Sequence, residues 1–145
     1  MLEHIETVFD DMKNMLKGLK KKSYETRMRD FRERNSHFFR EMIEYTEKSG
    51  DRESAAKEIA DVFTAAVEKR FSVNGKMKSR TQADLNFFMI YFVFPALLLE
   101  KNENCVLLAD SIRDAWRASF RESEISYTDY DKLYGAFHEK IFGIL

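Results

Sequence analysis

Apolar side chains recur along the first half of this chain at alternating steps of three and four. Leu2, Ile5, Phe9, Met12, Leu16 and Leu19 form one such stripe, widened by Val8 and Met15. That is the face of a packed helix, expected over Leu2 to about Lys22. The same period predicts a helix over Tyr24–Lys48, with Tyr24, Met28, Phe31, Asn35, Phe38, Met42 and Tyr45 on its stripe. Asn35 is the polar exception there, and an amide on an apolar seam needs a hydrogen-bond partner and so fixes register. Ser49-Gly50-Asp51 stops one helix and caps the next. The following helix, Arg52 to about Phe71, turns Ala56, Ile59, Phe63, Ala66, Val67 and Arg70 to one side. Its alanines predict close approach to a neighbour, expected to be the aromatic block downstream.

After the Ser72–Arg80 loop, which carries Asn74-Gly75, the pattern changes. From Phe87 to Leu99 no residue is charged, and apolar groups point in every direction. A helix without a polar side must be wrapped on all faces. The uncharged run is 13 residues, short of the roughly 17–25 that span a bilayer, so the wrapping is expected from protein and no membrane span is expected. Pro95 lies inside this run. A helix-interior proline removes one ladder bond and clashes with the carbonyl four residues back, here Tyr91. It predicts a kink and a carbonyl in want of another donor. A further helix, Asn102 to about Arg121, faces Cys105, Leu108, Ala109, Ile112, Trp116 and Phe120 inward. A last one, capped near Thr128–Asp131, presents Tyr130, Leu133, Tyr134, Phe137 and Ile141.

No segment shows strand alternation. The fold expected is all-α: a five- or six-helix bundle around a central apolar helix at about residues 82–101, kinked at Pro95. Residues 1–49 form a long N-terminal helical hairpin, and 51–145 pack around the central helix in the same single domain. A chain of 145 residues buries roughly 68–70% of its unfolded surface, so its core needs no staple. The lone cysteine, Cys105, excludes an internal disulfide and fits a reducing compartment. The N-terminus is acidic and amphipathic rather than basic and then apolar, so a cytoplasmic location is expected.

Candidate chemistry is sparse. Cys105 falls on a core face without a nearby histidine, and no glycine-rich phosphate loop or nucleophile elbow occurs. No cofactor is expected. Glu33, His37 and Glu41 recur every four residues on one helix face and offer ligands to a divalent ion, but the favoured reading of His37 is a hydrogen-bonded surface histidine and no metal is expected. Glu41-Met42-Ile43-Glu44, followed by Glu58-Ile59-Ala60-Asp61, resembles the paired carboxylate motifs of all-helical MazG-type nucleotide pyrophosphatases. The resemblance spans residues 41–61. It implies that Glu41, Glu44, Glu58 and Asp61 hold Mg²⁺ for a nucleoside triphosphate. The helical wheel turns those four carboxylates away from the apolar stripes, however, as solvated face charges turn.

Charge is unevenly distributed although the net value is −1. Between Lys13 and Arg40 stand 10 Lys/Arg against 3 acids, the raw material of a polyanion-binding surface. Those acids interleave at ion-pair spacing, which favours a solvated face over nucleic-acid binding. The kink at Pro95 offers a pocket lined by Phe88, Tyr91, Phe92 and Phe94, with a structural bend as the simpler account. The reading favoured overall is a non-catalytic module that associates with itself or another protein through its helical seams. Asn35, Phe38 and Met42 are the interface candidates.

Overall fold

The computed structural model describes residues 2–16 and 23–120. The expected final helix beyond Phe120, Arg121 and the lysine cluster at 17–22 lie outside the described residues. The fold is an all-α helical bundle. Six helices are described: α1 (Glu6–Leu16), α2 (Tyr24–Arg34), α3 (Ser36–Lys48), α4 (Arg52–Phe71), α5 (Ser79–Leu99) and α6 (Cys105–Ser119). Buried side chains from all six form one continuous core.

α5 lies at the centre. By length and composition it would be able to cross a membrane, yet 72% of its apolar window is buried within the protein. Its first part packs on α1, its last part on α2 and α6. Ser79 opens the helix, three residues ahead of the start expected from sequence. One π-helical turn, Met89–Val93, interrupts it just before Pro95. The Phe94 amide donates to the Met89 carbonyl, five residues back. Pro95 has no amide to offer Tyr91, and the Tyr24 hydroxyl donates to that carbonyl instead, at 2.5 Å. A widened turn next to proline is one of the few ways a helix absorbs a missing donor.

The expected Tyr24–Lys48 helix is two helices. They meet at Asn35, whose φ of −113° and ψ of 16° leave helical geometry. Asn35 Nδ2 donates to the Phe31 carbonyl and to Asp11 Oδ2, both at 2.8 Å. Asp11 also pairs with Arg34 at 2.8 Å. Burial pushes the Asp11 carboxyl above its ordinary 3.8, against the opposing pull of Asn35 and Arg34. α1 runs antiparallel to α2 and α3. Asp11 meets Arg34 and Asn35, whereas Glu3 and His4 meet Glu41 and His37.

The alanine-rich face of α4 packs on α6, not on the aromatic central helix as the sequence suggested. Ala55, Ala56 and Ala60 are buried there, as are Cys105 and Ala109 on α6. Small residues on both partners let two backbones approach closely, so the pairing is selected from both sides. α6 is tied to α5 by the Trp116 indole, which donates to Asn86 Oδ1 at 2.7 Å in the buried core. Asn74 and Gly75, at φ 54° and 75°, make a two-residue hairpin-type turn closed by Val73 and Lys76.

Candidate functional site

The described site with the most chemistry is a surface groove of about 530 Å³ between the N-terminal turn and the outer face of α3. His4 lines one side; His37, Glu41 and Glu44 line the other, with Arg40 and Lys48 at its margins. The turn is held in place by Glu41. Its carboxylate accepts from the backbone amides of Glu3 (3.0 Å) and His4 (3.4 Å), the residues just ahead of α1. The Thr7 hydroxyl donates to the His4 carbonyl at 3.3 Å and tightens the same turn. As a result the His4 and His37 rings stand 5.4 Å apart, tilted by 35°.

Among the described residues, Glu3, His4 and Glu41 are a group whose potential ligand atoms lie within 4.8 Å of one another. The structure brings two residues of the Glu33–His37–Glu41 set to the groove. His37 and Glu41 share the groove, but Glu33 lies beyond the bend at Asn35, outside the groove. The partners that replace it, Glu3 and His4, carry no spacing signal in the sequence, because packing alone brings them to α3.

The four carboxylates of the pyrophosphatase-like pattern do not gather around one ion. Glu41 clasps the N-terminal turn, Glu44 lines the groove, Glu58 accepts from the Tyr45 hydroxyl at 2.8 Å, and Asp61 is exposed. The Glu58 carboxylate also holds the Tyr45 phenol above its ordinary range. That hydroxyl bond ties α3 to α4.

The expected pocket beside Pro95 is packed with rings. Phe88 and Phe92 stack at 5.3 Å, and Phe31 closes on them edge-on at 5.3 and 5.7 Å. Phe88, Phe92 and Phe94 are buried, and only Tyr91 of that set reaches partly to the surface. The expected interface residues are also internal: Asn35, Phe38 and Met42 are at most 1% exposed. Their seam is covered by this chain's own helices. Cys105 is a core thiol, and burial pushes it above its ordinary range.

Among the described residues of the basic segment, three arginines are engaged: Arg27 lies over the Phe92 ring at 5.3 Å, Arg32 donates to the Leu99 carbonyl at 3.4 Å, and Arg34 pairs with Asp11. Within the apolar part of α5, from Leu85 to Leu98, the residues that reach the surface are aromatic: Phe87, 49% exposed, stacks on the half-buried Tyr91 with ring centroids 4.2 Å apart. Comparison with family models, curated proteins and solved structures returns no match to this chain.

Proposed function

We propose that this chain is a non-catalytic cytoplasmic helical protein that works through helix-mediated association, with a second copy of itself as the partner. The observation that carries this reading is the Phe87–Tyr91 pair. From Leu85 to Leu98 every other residue of α5 is buried, and an outward stacked aromatic pair there is surface that a partner gains by covering. Tyr24, whose ring lies 6.5 Å from Tyr91, and Arg27 extend the strip onto α2. Tyr, Phe and Arg are the residue types enriched at the centres of protein interfaces, where rigid flat side chains bury large areas at small entropic cost. A two-fold axis through such a strip sets it against its own copy. The seams of α1 to α3 contribute nothing to this association, because they are spent on the core.

Engaged arginines along α2 weigh against nucleic acid as the partner. Dispersed carboxylates on α3 and α4 weigh against nucleotide hydrolysis. Sedimentation velocity on the intact chain and on Phe87→Glu tests the proposal. The expected result is a concentration-dependent dimer in the parent protein and a monomer in the variant. A parent protein that stays monomeric at every accessible concentration overturns it, as does a dimer that Phe87→Glu leaves intact.

A further inference from the structure

We propose that the groove between the N-terminal turn and α3 is a binding site for a divalent transition ion of the Zn²⁺ type, with His4, His37, Glu3 and Glu41 as its donors. Neither the association strip on α5 nor the core uses these side chains. The donor set is two imidazoles and two carboxylates, which suits Zn²⁺ and its neighbours rather than Mg²⁺ or Ca²⁺, whose sites are built from oxygen.

Glu3, His4 and Glu41 form the gathered group, and His37 joins it through the approach of its ring to His4. Two imidazoles on one tetrahedral ion, each nitrogen about 2.0–2.1 Å from the metal, set their ring centroids about 5.2 Å apart. His4 and His37 stand at 5.4 Å. The donor atoms of Glu3, His4 and Glu41 lie within 4.8 Å of one another, against about 3.4 Å around a tetrahedral ion of that size. The remaining closure is side-chain rotation, and Glu3, His4 and His37 are exposed and able to make it. Glu41 does two things at once. Its oxygens accept the Glu3 and His4 amides, and each carboxylate oxygen keeps a further lone pair for an ion. The residue that would bind the metal thus also fixes the backbone carrying two of the other ligands, which is how supporting contacts pre-orient a site. Glu44 offsets one of the two cations, Arg40 and Lys48, that also line the groove.

Zn²⁺ titration by calorimetry, in chelator-free buffer on the intact chain, tests the site, paired with histidine-selective NMR. The expected result is one equivalent bound, with both the His4 and His37 imidazole resonances shifting together. His4→Gln and His37→Gln should each weaken binding about tenfold or more. Both positions are exposed, so the variants should keep the parent's helical circular dichroism. Added Zn²⁺ should also raise the parent's unfolding temperature, because an ion that binds only the folded chain stabilises it by mass action. Failure of both imidazoles to respond overturns the assignment, and so does undiminished affinity in His37→Gln. Neither result bears on dimerisation through Phe87.

Discussion

The Tyr24 hydroxyl donates to the Tyr91 carbonyl at 2.5 Å, four residues before the proline that cannot serve it. α2 thereby completes the hydrogen bonding of α5, and two helices far apart in sequence become one structural unit. Tyr24→Phe should cost about 1 kcal/mol, the usual net value of one such bond. The penalty should shrink when Pro95 is also replaced by Ala, which restores an amide to the helix. A double-mutant cycle by urea unfolding reads this coupling.

Burial, together with Tyr91 and Glu25, pushes the Tyr24 phenol far above its ordinary 10.0. The folded chain therefore keeps its proton where the unfolded chain would release it. The stability this group contributes is fully present below pH 10.0 and declines as the pH rises through the folded value. Urea midpoints measured on the alkaline side should fall more steeply for the parent than for Tyr24→Phe.

Asp11 gives the opposite limb. Its folded value is raised above 3.8, so the folded state binds the proton more tightly than the unfolded state does. This carboxyl's contribution is largest below 3.8 and is lost as the pH rises through the folded value. Asp11→Asn should flatten that part of the acid profile. Asn35→Ala should destabilise at neutral pH by about 1–3 kcal/mol, because it leaves a partly buried carboxylate short of a donor.

Asn86→Leu should leave the Trp116 indole N–H unpaired in the core, at a cost of about 1–3 kcal/mol. The chain has one tryptophan, so its intrinsic fluorescence reports this site alone. The folded-state emission of the variant should shift, and its urea midpoint should fall.

Phe87→Glu should separate function from folding. The side chain is 49% exposed, so the unfolding midpoint of the monomer should move little, surface substitutions being worth about 0.5 kcal/mol or less. Association should be lost. A variant that unfolds instead would show Phe87 to be part of the core.

Much of the core was legible in the sequence because apolar period reports which face of a helix is covered. Met28, Phe31, Phe38 and Met42 are buried as the stripe requires. The period does not say what does the covering, and for that reason Phe38 and Met42 suggested an interface when they face this chain's own helices. The bend at Asn35 was hidden because the three-and-four spacing of the stripe keeps its phase through it, so Asn35 read as a polar position on one continuous seam. Pro95 was legible down to the carbonyl it frees, since the clash four residues back is fixed by covalent geometry. Its replacement donor, Tyr24, was not, because it comes from another helix. The same holds for the groove. His37 and Glu41 are four apart and share a helix face, whereas His4 reaches them only through tertiary packing.

The account rests on α5 being clothed by its own chain. Hydrogen exchange of the intact protein in detergent-free buffer tests this most directly. Amides from Leu85 to Leu98 should exchange at the slow limit set by global unfolding, while those of the exposed Asn74–Gly75 turn exchange freely. Rapid exchange across α5 in the folded protein would contradict the account.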